Sequence, residues 1–193
     1  MKERRRGAEL EHAILDAAWA EMLERGYASL TMEAIAARAG TSRPVLRRRW
    51  ASVQELATAA IRRELARRPI IVADLGDTRA ELLSFLQQAA ERSDVFTAGF
   101  ALFVDEFRSG TKATPQEFRT TVLAGEEDAI DAILARGVAR GEIDAGKLQP
   151  PLVTLVPDLF RHHVIMTMAP PPVAIRQAWV DAIFLPLVSR PAR

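Results

Sequence analysis

The sequence predicts an all-α protein, and three observations carry that expectation. Apolar residues recur at three- and four-residue steps along most of the chain, strand-like alternation is absent over any useful length, and glycines, prolines and capping residues fall at helix-length intervals. At 193 residues the chain accommodates one large domain or two small ones. With 49% hydrophobic and 26% charged residues, it has the composition of a folded globular protein.

The elements follow in order. Leu10, Ile14, Ala18 and Met22 recur every four residues with Leu15 beside them, and Gly26 ends that helix where a left-handed residue is needed. Thr31 is placed to N-cap a two-turn helix that Gly40 stops. Ser42 caps the next, with Pro44 tolerated in a first turn whose amides have no helical partner. Ser52 and Glu55 form a capping-box pattern opening a fourth helix to about Arg68. Pro69 then marks a boundary, followed by irregular chain through Gly76. Further helices are expected near 78–92, 94–109, 115–140, 150–168 and 172–189, with Pro157 and Pro186 kinking or ending the last two. The domains so defined are 8–50, a connecting helix over 51–68, and 69–193.

Charge divides the same way. Residues 1–68 carry 14 Lys+Arg against 9 Asp+Glu, a net of +5; the remainder carries 12 against 16, a net of −4. A basic N-terminal third on an acidic remainder points to a polyanionic partner for the former. Only three of the 26 basic residues are lysine, so arginine abundance alone says little and position decides.

Two short helices joined by a glycine turn, the second one basic, form a helix-turn-helix. Ala36 is small where the helices cross, Gly40 gives the turn its freedom, and Ile35 and Leu46 face the core. Projected at 100° per residue, Leu46 and Trp50 point inward. The opposite face carries Pro44, Val45 and Arg48, flanked by Arg43 and Arg47. Arginine pairs with guanine in the major groove, and small apolar groups touch the thymine methyl. Thr31, Ser42, Arg43, Pro44, Val45, Arg47, Arg48 and Arg49 are therefore the expected DNA-binding residues. Glu33 either accepts from a cytosine amine or is repelled by phosphates. The arginines at 4–6 either form an arm along the minor groove or do nothing specific.

Residues 10–61, with ILDAAWAEMLERGY, LTMEAIAARAGTSRPVLRRRW and SVQEL, resemble the DNA-binding domain of the TetR family of regulators. LARGVARGEID (134–144) also resembles the end of a long helix in the C-terminal domains of such proteins. The resemblance implies an N-terminal three-helix DNA-binding domain and a C-terminal helical ligand-binding and dimerisation domain. It further implies a homodimer on a palindromic operator, repression, and release by a small molecule. Two positions depart from the family pattern. Arg47 stands where a phosphate-contacting Tyr is common, and Val53 where a Lys is common; Arg47 is expected to keep the phosphate contact.

In the C-terminal part, segment 94–109 is so apolar that burial nearly all round is expected. Phe96, Phe100, Phe103 and Phe107 form a stripe that is either core or the wall of an apolar effector pocket, with His162 and Met166 as further pocket candidates. Leu152, Leu155, Leu159, Ile175, Trp179, Ile183 and Leu187 mark two helices too apolar for a surface, as a dimer interface requires. An alternative is a C-terminal domain that binds a protein partner and has no small-molecule pocket.

Other chemistry is not supported. There is no cysteine, so no disulfide or thiolate metal site exists. His162 and His163 point about 100° apart and cannot share an ion, and Asp158 with His162 reads as a plain pair. Gly141 to Lys147 has phosphate-loop spacing, but Leu148 replaces the magnesium-holding hydroxyl and Glu142 and Asp144 sit inside the loop. The acidic run Glu126, Glu127, Asp128 and Asp131 reads as a solvated helix face. No hydrolase triad, Gly-x-Ser-x-Gly or His-Glu-x-x-His appears, so no catalytic residue, cofactor or metal is expected. No apolar run reaches a membrane-spanning length and none follows the charged N-terminus, so no membrane partner is expected and a cytoplasmic protein is.

Overall fold

The computed structural model describes residues 7–110, 114–123 and 125–190, so Arg4 to Arg6 lie outside the described residues. Its α-helices in chain order are α1 (Ala8–Arg25), α2 (Met32–Ala39), α3 (Arg43–Arg47), α4 (Val53–Arg67), α5 (Thr78–Glu91), α6 (Ser93–Arg108), α7 (Pro115–Val122), α8 (Glu126–Arg140), α9 (Leu155–Thr167), α10 (Val173–Ala178) and α11 (Leu185–Val188). A π-helical stretch, Trp179–Phe184, joins the last two. Among the described residues there is no strand, only an isolated antiparallel bridge between Ile143 and Ser189. The protein is all-α, and none of its described helices is long and apolar enough to cross a membrane.

The chain packs as two compact units, residues 1–68 with 94–122, and residues 69–93 with 123–193. The first unit therefore combines α1–α4 with α6 and α7. Ile14, Ile35, Leu46, Leu56 and Ile61 are fully buried in its core, and Ala18, Ala36 and Ala57 let the helices approach closely. Truncating such a leucine costs about 2–5 kcal/mol. The helix starts follow the expected caps in part. Thr31 Oγ1 accepts from the Ala34 amide at 3.1 Å, and Ser52 Oγ from the Glu55 amide at 3.1 Å. Glu55 reaches the Ala51 amide at 2.7 Å, one residue before the cap. Ser42 holds the N-cap position of α3, but its side chain makes no capping bond. Gly26 has φ 76° and ψ 159°, so it ends α1 with a positive φ but in an extended rather than helical turn.

Helix α6 corrects the expectation of burial all round. Val95, Phe96, Gly99 and Leu102 are buried, and their three- and four-residue spacing confines burial to one face. Phe107 is 65% exposed. Gly99 lies where a Cβ would come within 2.6 Å of Val122 Cγ2, so α6 and α7 touch through a position that excludes a side chain.

In the second unit, the expected helix 115–140 is broken. Gly125 takes φ 80° in the left-handed region, so α7 ends and α8 starts anew. Glu126, Glu127 and Asp128 of the acidic run then fall in the first turn of α8, where carboxylates complement the helix dipole. Glu126 is buried rather than solvated: Arg92 Nη2 donates to Glu126 Oε1 at 2.7 Å. Helix α9 starts at Leu155, later than expected, after a turn containing a cis Pro150–Pro151 bond. Pro157 is its third residue, where no helical amide is needed, so it causes no break. Pro186 lies just beyond the π stretch, whose wider turn accommodates the missing amide and the bulk of the ring.

The stretch 134–144 closes this unit. Glu81 is fully buried on α5, accepts from Arg136 Nε at 2.8 Å and pairs with Arg140 at 3.0 Å. A Cβ on Gly137 would lie 2.5 Å from Thr78 Oγ1 and 2.7 Å from Ile143 Cδ1. Burial pushes the Glu142 carboxyl up, but hydrogen bonds from the Thr78 hydroxyl, Arg140 and the Thr78 amide outweigh it and hold the group below its usual range.

Candidate nucleic-acid interface

The reading head consists of α2, the turn at Gly40 and α3. Gly40 has φ 66° and ψ 37°, the left-handed conformation that lets the chain reverse between two short helices. The Thr41 amide returns to the Ala36 carbonyl at 3.0 Å, closing the turn. On α3, Leu46 is fully buried and Trp50 nearly so, which fixes the rotation of the helix about its axis. The α-helix proper ends at Arg47, but the Trp50 amide still bonds the Leu46 carbonyl at 3.0 Å, so the inward face continues through the next turn.

With that rotation fixed, Arg43, Pro44, Arg47, Arg48 and Arg49 are exposed and Val45 is half-buried against the core. Thr31 and Ser42 are exposed at the starts of their helices. The expected reading residues therefore share the outer surface of one small element, but they are not equivalent. Arg47 and Arg48 have no ion pair among the described residues. Arg49 turns back to α1, where Nη1 pairs with Glu11 Oε2 at 2.5 Å and Nη2 reaches the Gly7 carbonyl at 3.3 Å. Arg43 Nη1 pairs with Glu33 Oε1 at 2.6 Å across the turn. These two ion pairs were not legible in the sequence, since each partner lies on another helix.

Behind this surface, Arg38 bonds Glu21 at 2.7 Å and Glu24 as well, clamping α2 to α1. The Arg38 hydrogen bond holds the Glu24 carboxyl below its usual range. Burial, with Asp105 and Glu106 nearby, pushes the Tyr27 phenol up to about 12. Beside the clamp lies an open groove of about 560 Å³ lined by Glu9, His12, Asp16, Arg38 and Arg63 among others, polar and mixed in charge.

The residues expected to line an effector pocket divide between the units. Phe96, Phe100 and Phe103 cluster around Phe118, with ring centroids 5.1–6.3 Å apart. Phe107 stacks loosely on Phe103 at 6.1 Å and is otherwise open. In the second unit His162 is exposed and Met166 is 69% exposed, so neither is enclosed. Asp158 pairs with Arg161 at 2.6 Å rather than with His162, and His163 meets Trp179 edge-on at 5.9 Å. Of the expected interface residues, Ile175, Ile183 and Leu187 are exposed, and Leu152, Leu155, Leu159 and Trp179 are half-buried.

Comparison with known proteins agrees with this geometry. Residues 14–60 match the profile described as bacterial regulatory proteins, tetR family, and residues 72–183 match that of the tetracyclin repressor-like C-terminal domain. An uncharacterized HTH-type transcriptional regulator of Mycobacterium tuberculosis (strain H37Rv) is 29% identical over 167 residues, which are 86% of this chain and 82% of the relative. Among solved structures, a TetR transcriptional regulator from Agrobacterium tumefaciens is similar with a TM-score of 0.67 at 18% identity, over 95% of this chain and 96% of that one. A flavonoid-responsive regulator is similar with a TM-score of 0.59 at 17% identity, over 96% and 100%.

Proposed function

Since this chain belongs to the TetR family of transcriptional regulators, whose helix-turn-helix binds DNA, we propose that it is a homodimeric repressor, acting in the cytoplasm, that reads a palindromic operator and is released by an apolar small molecule. The observation that carries this reading is the surface of α3, where Arg47 and Arg48 stand exposed and unpaired among the described residues, beside Pro44 and Val45. Arg48 is assigned to a base edge and Arg47 to a phosphate. Thr31, Ser42 and Arg43 complete the contact surface, while Arg49 serves mainly to hold α3 against α1. The dimer reading is supported by the exposed row Ile175, Ile183 and Leu187, which a second copy would cover by two-fold symmetry, with Leu152, Leu155, Leu159 and Trp179 at its edge. Two reading heads then lie about 34 Å apart, one turn of DNA.

The effector part of the reading rests on the apolar character of α6 and its neighbours. A small molecule acts only to the extent that it binds the released state more tightly than the DNA-bound one. The close packing of Phe96, Phe100 and Phe103 around Phe118 favours a second reading, in which the C-terminal domain meets a protein partner instead.

Selection of bound sequences from a random DNA pool tests the core of the proposal. Enrichment of a palindrome with two half-sites is the expected result; binding without enrichment that vanishes as salt rises overturns it. Titration of apolar compounds into the protein–operator complex tests the effector, which loses its support if none weakens the complex.

A further inference from the structure

The Glu33–Arg43 pair spans the turn of the reading head. Glu33 lies in the first turn of α2, and Arg43 is the first residue of α3. Both side chains are open to water, 59% and 46% exposed, so the pair contributes little to folding, which rests on Ile35, Ala36 and Leu46 beneath it. What it changes is the charge that the head presents. Of the four arginines from 43 to 49, two are matched with carboxylates of the same unit and two are not.

The contact is an ion pair at one corner: Glu33 Oε1 lies 2.6 Å from Nη1 of a guanidinium that carries five donors in a rigid plane. With one corner occupied, the donors of Nη2 and Nε remain for DNA, and the plane is held by its own neighbour before DNA arrives. A guanidinium so held loses less freedom on docking in one geometry, and its charge is partly cancelled for a phosphate approaching in any other.

Building on the DNA-binding reading above, we infer that Glu33 is a positioning residue for sequence selectivity. It orients Arg43 for one docking geometry and withholds it from indiscriminate phosphate contact. Glu33 thereby lowers affinity for random DNA more than affinity for the operator. The carboxylate that looks unfavourable on a DNA-facing surface improves the ratio of specific to non-specific binding, the quantity that matters against a genome of competing sites.

The test uses the full-length wild type, Glu33→Gln, Arg43→Ala and the double variant. Each is titrated against the palindrome recovered by selection and against a random-sequence duplex of equal length, over a range of salt. Glu33→Gln is expected to bind the random duplex about three- to tenfold more tightly at low salt, with a salt slope steeper by about 0.9 per head. Its preference for the palindrome falls, and both effects disappear in the Arg43→Ala background. An equal gain in both backgrounds overturns the inference, because Glu33 then merely repels phosphates. A loss confined to one base pair of the palindrome also overturns it, because Glu33 then reads a base itself. A large fall in the melting temperature of Glu33→Gln makes the pair structural and overturns it too. Wild type that does not distinguish the two duplexes sinks the underlying DNA-reading proposal, a result separate from all of these.

Discussion

The two units differ in how much charge they bury and how much apolar surface they leave open, although the first also buries Glu21 and Glu64 and exposes Leu23 and Phe107. In the first, the core is aliphatic and most of the arginines of α3 and its flanks reach the surface, two of them without an ion pair among the described residues. In the second, charge is drawn inward. Glu81 is fully buried between Arg136 and Arg140, and Arg92 with Glu126 forms a buried pair. Meanwhile Val173, Ile175, Ile183 and Leu187 stay exposed on the outside. A surface meant for a polyanion keeps its cations hydrated and available. The apolar row stands open as the proposed dimer requires, while buried ion pairs of the same unit tie α5 to α8. Exposure, more than composition, separates the two: both units are rich in arginine, and it is the reading head that sets Arg47 and Arg48 side by side, exposed and without an ion pair among the described residues.

The largest effect that separates the units is expected from Glu81→Ala. Removing this buried carboxylate takes away the ion pair of Arg136 and one of three held by Arg140, which keeps Glu142 and Asp74, and denaturant unfolding should report a loss of about 3–5 kcal/mol. A loss under about 1 kcal/mol would mean that the second unit is not organised around its buried charge. Next, Ile183→Asp sets a charge in the exposed apolar row without disturbing the core. Sedimentation should show monomers with unchanged helical content and a cost to association of about 2 kcal/mol or more; a persisting dimer places the interface elsewhere.

On the first unit, Arg48→Ala and Arg47→Ala should leave folding within about 0.5 kcal/mol of wild type. Arg48→Ala should cost about 1–3 kcal/mol of discrimination at one position of each half-site. Arg47→Ala should weaken all sequences alike and flatten the salt slope. Identical behaviour across a base-substituted operator series would erase the division between them. A smaller effect comes from Gly137→Ala. Crowding against Thr78 and Ile143 costs about 1–3 kcal/mol, and better helix propensity returns about 1, leaving a net loss visible in the melting temperature.

The last is a pH effect in the first unit, carried by the buried Tyr27. Its folded pKa of about 12 lies above the unfolded value near 10. The stability linked to it is therefore complete below about pH 10 and lost as pH rises toward 12. Tyr27→Phe should remove that alkaline decline in urea titrations.

The reading head was legible in the sequence because its constraints are local. Thr31, Gly40 and Pro44 each act within a turn of their own position, and Leu46 and Trp50 declare the buried face by spacing alone. At the end of α8, Gly141 is likewise a local signal, a left-handed residue that stops the helix, whereas Gly137 is required by Thr78, distant in sequence, and by Ile143. The fates of Arg43 and Arg49 were not legible, because their carboxylates sit on α2 and α1 and only the folded chain brings them together. Nor was the break at Gly125, where an apolar period runs on across the glycine and a single left-handed residue overrides it. The one-sided burial of α6 was hidden by composition: with apolar residues on every side, spacing no longer says which face is covered.

The π stretch in the last helical segment has a consequence for the shape of the exposed row. Residues four apart on an ordinary α-helix drift by about 40° per step. A row at 175, 179, 183 and 187 would therefore wind about a third of the way round the axis, as would the buried row Arg176, Val180, Phe184 and Val188 on the inner side. The wider turn over Trp179–Phe184 takes up more residues per revolution and unwinds part of that drift. Both rows are kept nearer to straight lines, so the segment works as a ruled edge rather than a screw thread. Its straightness depends on the wider turn itself: with the same residues in ordinary α geometry, Leu187 would lie about 120° round the axis from Ile175.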